Sequence, residues 1–169
     1  LLAIYLIRKF NKKEEKIEEE AKPQIPAIVT ARERLLQLKD STLWQSGKFK
    51  EYYTDLTDIA REYLEGQFNI DAIEMTSDEI LDEVRKLQLD DSTFSKLQNT
   101  LTTADLVKFA KANPSSSQNE QAFNDINTFV EDSYVFHQEM EKKKTEEAKA
   151  KKNNFEKETT ENQEMEETK

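Results

Sequence analysis

The sequence predicts an all-α fold, a compact bundle of about six helices flanked by a short apolar N-terminal segment and a charged C-terminal tail. Three observations carry this. Apolar residues recur at spacings of three and four, as the 3.6-residue helical period requires. Helix start and stop signals punctuate those runs at regular intervals. No segment alternates apolar and polar residues over a useful length, so nothing supports a strand.

The first periodic run begins at Pro26, whose fixed φ suits a first helical turn, and Ile28, Leu35, Leu36 and Leu38 give it an apolar stripe through about Lys39. Asp40-Ser41-Thr42 breaks the pattern, and Leu43-Trp44 follows as an apolar plug before Gly47. The clearest stripe is next: Phe49, Tyr52, Tyr53, Leu56, Ile59, Ala60, Tyr63 and Leu64, with Gly66 expected as its C-terminal cap. Glu51, Asp55, Asp58, Arg61, Glu62 and Glu65 occupy the opposite face.

Residues 67–75 read as a connector anchored by Phe68, Ile70, Ile73 and Met75. Thr76-Ser77-Asp78-Glu79 has the spacing of a capping box, in which Thr76 and Glu79 satisfy each other's backbone amides. It opens a helix carrying Ile80, Leu81, Val84 and Leu87 inward. Leu89-Asp90-Asp91-Ser92 ends that helix and caps another through Phe94, Leu97 and Leu101. Thr102-Thr103-Ala104-Asp105 predicts a further start, followed by Leu106, Val107, Phe109 and Ala110. Asn113-Pro114-Ser115-Ser116-Ser117 has loop chemistry, and a last long helix carries Phe123, Ile126, Phe129, Val130 and Tyr134.

Charge divides the chain into three parts. Of 169 residues, 36% are hydrophobic and 36% charged, with a net charge of −10. That is enough apolar material for one modest core. Residues 24–138 carry a net of −9, while 1–23 carry +1 and 139–169 carry −2. Residues 1–10, an apolar run ending at Tyr5, Arg8 and Lys9, predict the cytoplasmic end of a transmembrane helix. A full span needs about 20 apolar residues, so the remainder would lie upstream. The positive flank then places residues after Arg8 in the cytoplasm. Residues 11–25 form a charged juxtamembrane linker with no buriable face, 26–138 the helical domain, and 139–169 a charged helical extension that passes into a disordered tail beyond about Lys152.

Composition narrows the chemistry. With no cysteine there is no disulfide, thiolate metal site or cysteine nucleophile. One histidine, His137, rules out multi-histidine metal sites and is expected at the surface. Two glycines cannot build a phosphate-cradling loop. Asp55, Asp58 and Glu62 share a helical face at three- and four-residue spacing, but no Glu-x-x-His motif accompanies them, so a solvated face is the simpler reading. No catalytic, cofactor-binding or metal-binding residue is expected, and the chain is not expected to be an enzyme. The acidic body disfavours nucleic acid. A helix-turn-helix over Thr76–Leu101 would offer only Lys96 on its second helix, a poor reader of the major groove. Trp44, outside a regular helix beside Gly47, is either the plug of the bundle or an exposed anchor for a partner.

The stretches Leu43–Tyr53, Leu56–Glu65, Ala72–Leu81 and Ala104–Lys111 resemble the cytosolic helical domain of a family of membrane proteins found mainly in Bacteroidetes. That family is encoded with a MoxR-type AAA+ ATPase and von Willebrand factor A proteins, the Bat (aerotolerance) group. The C-terminal cytosolic region of BatD-like proteins has a related pattern. The resemblance covers roughly residues 27–135 and rests on capping and core patterns. It implies a single-pass protein of a bacterial inner membrane, an adaptor docking a MoxR-type ATPase or a von Willebrand A protein, and it transfers no catalytic residue. Trp44, Asp55, Asp58, Glu62 and Glu65 are the candidate partner-binding residues. The alternative from another class is an exported or soluble regulatory helical domain, with helix-turn-helix DNA binding as one form of it.

Overall fold

The computed structural model describes residues 25–167, with side chains through Lys152. The expected membrane-span end at 1–10 and most of the linker at 11–25 lie outside the described residues. Five helices run through the rest: α1 (Ala27–Asp40), α2 (Phe49–Phe68), α3 (Ser77–Arg85), α4 (Asp91–Ala110) and α5 (Ser116–Glu167). No strand occurs among the described residues, so the all-α expectation holds.

The count of about six does not hold, because the segments on either side of Thr102 are one helix. Thr100 and Thr103 donate their hydroxyls back to the carbonyls of Lys96 and Asn99 at 3.1 and 2.8 Å, which keeps a polar residue satisfied inside a helix. Leu97, Leu101, Ala104 and Val107 are all buried and continue one stripe across the expected break. Packing decides against a new start there.

Four long helices alternate in direction. Ala27 of α1 packs on Gly66 of α2, and Arg34 pairs with Glu62, so α1 and α2 are antiparallel. Helices α2 and α5 run parallel, as a nearly constant offset shows. The Tyr52 hydroxyl donates to the Asn119 carbonyl at 3.0 Å, that of Tyr63 to the Val130 carbonyl at 3.1 Å, and Gln67 meets His137 at 3.1 Å. Helix α4 runs antiparallel to α5, with Thr100 near Ala122 and Thr93 near Asp132. The short α3 packs on α4 alone among the helices. The core lies between the four long helices, with Tyr53, Leu56, Leu64, Leu97, Ile126, Phe129 and Val130 fully buried.

Local signals are used as the sequence predicts at two helix starts. The Thr76–Glu79 capping box is complete. Asp90 caps α4 by accepting from the Thr93 amide at 3.0 Å, and the Thr93 hydroxyl and amide hold its carboxyl below the usual range. A third start, missed as a motif, is the reciprocal pair of Ser115 and Gln118 at α5.

Other expectations are corrected. Gly66 is not a cap: α2 runs on to Phe68 and ends at Asn69, which takes the left-handed conformation (φ 56°) that asparagine tolerates. Gly66 instead admits α1, since a Cβ there would lie 2.8 Å from the Ala27 Cβ. Leu36 is 63% exposed, and Ala31 takes its place in the buried stripe of α1. In the connector Ile70 and Ala72 are buried while Ile73 is exposed. His137 is half-buried rather than on the open surface, with its ring edge-on to Phe68 at 5.3 Å. The helical backbone of α5 also continues to Glu167, past the expected change near Lys152. Lys144 pairs with Glu141 on the exposed part of this helix before Lys152.

Candidate interaction surface

The four candidate carboxylates of α2 lie on one side of the helix, within an arc of about 80°, but their surroundings divide them. Glu62 is paired with Arg34 of α1. Asp55 lines a shallow recess with Arg34, Gln37, Leu38, Ser41 and Ile59. Asp58 instead acts on Lys108 of α4, whose amino group donates to the Thr57 hydroxyl at 2.8 Å. Burial holds that amine below the usual lysine range; Arg61 lowers it further, while Asp58 and Asp105 oppose the effect. Glu65 is exposed near the far end of α2.

Trp44 is half-buried in the turn between α1 and α2, and Gly47 completes that turn at φ 77°. It is neither a sealed plug nor a free anchor. It lines an open cleft of about 320 Å³ with Leu38, Lys39, Tyr52, Glu120 and Phe123. The floor is rigid, because Tyr52 is 2% exposed and its hydroxyl is fixed on α5. Burial pushes the Tyr52 phenol upward, and the charge of Glu120 adds to the shift after the neighbouring Tyr53 ring.

Leu38 lines both the Trp44 cleft and the Asp55 recess. Leu38 is only 5% exposed, so Trp44 and Asp55, eleven positions apart in the sequence, stand on the two flanks of the last turn of α1, the first toward α5 and the second toward α2. Asp58 and Glu65 line neither depression. Glu120 and Phe123 enter from α5 and could not be chosen from the sequence, since nothing local distinguishes them from the other exposed and apolar residues of that helix.

Arg61 is the other residue whose role the sequence hides. Read as part of the solvated face, it reaches the connector and donates to the carbonyls of Ala72 and Met75. Its role is structural: it satisfies two loop acceptors with one guanidinium. The remaining exposed apolar side chains include Leu106 and Phe109 near the end of α4, the latter 81% exposed.

Among the described residues no group of histidine, aspartate and glutamate side chains is arranged to hold a metal ion, and no helix is long and apolar enough to cross a membrane. On α4, Lys96 is committed to Asp132 and Ser92. In comparisons with protein families, curated proteins and solved structures, nothing matches the chain. The Bat-group resemblance therefore rests on the quoted residues alone.

Proposed function

We propose that this chain is a non-enzymatic interaction domain that docks a protein partner, held at the cytosolic face of a membrane by the segment ending near Arg8. A MoxR-type ATPase or a von Willebrand A protein is the partner class the sequence resemblance suggests. The observation that carries the reading is the Trp44 cleft, with Lys39 and Glu120 at its rim and the Asp55 recess on the other flank of the same helix turn. A half-buried tryptophan beside an aliphatic side chain, rimmed by charges, is the make-up of an interface hot spot. The net charge of −9 over residues 24–138 favours a basic partner surface, with charge setting encounter rate and the apolar centre setting lifetime.

The test is capture of partners from gently solubilised membranes by the tagged full-length protein, with mass spectrometry of what is retained. Trp44→Ala and Asp55→Lys are expected to reduce capture together, and the Asp55 effect to shrink as salt is raised. Asp58→Lys with Glu65→Lys, at positions that line neither depression, should leave capture nearly unchanged. Equal losses from both pairs would reduce the surface to a diffuse acidic field, and a clean preparation from wild-type membranes would remove the adaptor reading.

A further inference from the structure

We propose that the Trp44 cleft is a binding site for a cationic side chain, an arginine or lysine presented by a protein partner. Three aromatic side chains, Trp44, Tyr52 and Phe123, line the cleft with Leu38, and Glu120 stands at its rim. Aromatic faces attract a guanidinium or ammonium group within about 6 Å of the ring centre, tryptophan most strongly. The apolar stem of an arginine or lysine finds its match in Leu38 and Phe123, while the charged head finds Glu120.

The volume of about 320 Å³ falls within the range of ligand sites and exceeds what one methyl-sized anchor would fill. Glu120 makes no ion pair among the described residues, so no internal cation has to be displaced from it. Lys39 at the same rim opposes a cation. Between these two opposite charges the rings decide the sign of the ligand, and the net −9 of the surrounding domain acts in the same direction.

That the cation arrives on a protein rests on the interaction-domain reading; the preference of the cleft for a cation does not. Trp44 is the sole tryptophan of the chain, so its fluorescence reports occupancy of this cleft and no other place. The experiment is titration of the full chain with Nα-acetyl-arginine amide and, separately, with the uncharged Nα-acetyl-norleucine amide, following Trp44 emission and its indole N–H resonance.

The expected result is a saturable response to the arginine probe and a markedly weaker one to norleucine. Glu120→Gln should weaken the arginine response by about fivefold, the scale of one exposed ion pair, and Lys39→Gln should strengthen it. Both substitutions are at exposed positions and leave the core untouched. Equal binding of the two probes would reveal an apolar cleft and overturn the proposal. Opposite responses of the two variants would assign an anionic ligand and also overturn it, as would the absence of any change at Trp44 up to the solubility of the arginine probe. An arginine response alongside empty captures from membranes would fault the adaptor reading and leave the cleft standing. Partner capture that depends on Trp44 without an arginine response would do the reverse.

Discussion

Substituting Gly66 by alanine distinguishes close helix packing from simple helix propensity. At an unencumbered interior helix position, Gly→Ala stabilises by about 1 kcal/mol, because glycine loses more backbone freedom on folding. Here the new Cβ would lie 2.8 Å from the Ala27 Cβ, against an optimal carbon–carbon separation of about 3.5–4.0 Å. Neither atom has a rotamer through which to escape, so the first turn of α1 must move away from α2. Overpacking of this kind costs about 1–3 kcal/mol. Set against the propensity gain, the expected outcome is a net loss of about 1 kcal/mol. For a chain of this size that corresponds to a fall of roughly 2–4 °C in Tm, measured by thermal and urea unfolding followed by far-UV circular dichroism. Gly66→Ala combined with Ala27→Gly removes the clash and keeps the gain in α2, so the double variant should be more stable than the sum of the single effects. A Gly66→Ala protein stabilised by about 1 kcal/mol, or a double variant that is merely additive, would refute the argument.

Two further outcomes follow from buried groups and from one ion pair. Tyr63→Phe removes a hydroxyl bonded to the Val130 carbonyl and Ser133 and should cost about 1 kcal/mol, whereas Tyr53→Phe removes a buried hydroxyl with no partner among the described residues and should be neutral or stabilising by up to about 1 kcal/mol; equal shifts in urea midpoint for the two would contradict this. Arg32 holds the Glu131 carboxyl below its usual range mainly by hydrogen bonding, so the folded-state value is depressed and the stabilisation is fully present above the unfolded carboxylate range and lost as pH falls from there through the lower folded-state value. Glu131→Gln should therefore lower stability near neutral pH by at most about 1 kcal/mol, given that both partners are well exposed, and the gap from the parent should close below about pH 4; a gap independent of pH would exclude the ion pair as its source.

What was legible in the sequence depended on the range of the interaction involved. The capping box at Thr76 and the Asp90 cap need only residues three apart, and their chemistry is written in consecutive letters. The stripe from Phe49 to Leu64 is regular enough that burial of Tyr52, Tyr53, Leu56, Ile59 and Tyr63 followed from it. Thr102-Thr103-Ala104-Asp105 misled because threonine before aspartate suits a helix start, and only the burial of Leu101 and Ala104 against the other helices overrides it. Gly66 misled for the opposite reason: its constraint comes from Ala27, far away in the chain. The candidate surface shows the same division. Trp44 and Asp55 could be picked out one by one, but the arrival of Glu120 and Phe123 from α5 beside Trp44 is a consequence of antiparallel packing between α1 and α5.

The placement of the two ends of the bundle bears on how such a surface would be displayed. The start of α1 packs against Gly66, and His137 of α5 meets Gln67 and Phe68, so the chain enters the bundle where the long helix leaves it. The Trp44 cleft lies at the other end, beyond the last turn of α1, about 20 Å away for a helix of 14 residues. From His137 to Glu167, α5 extends a further distance on the order of 45 Å at helical rise. Residues 11–24 span at most about 50 Å when fully extended. In the proposed arrangement, a membrane holding residue 10 would thus lie within reach of the projecting end of α5, while the cleft would face the cytosol on the distal side. Tethering through the N-terminus would then leave the cleft accessible, and tethering through the turn at Trp44 would occlude it. Attaching the chain to vesicles at each position in turn and comparing the arginine response of the cleft separates display geometry from affinity.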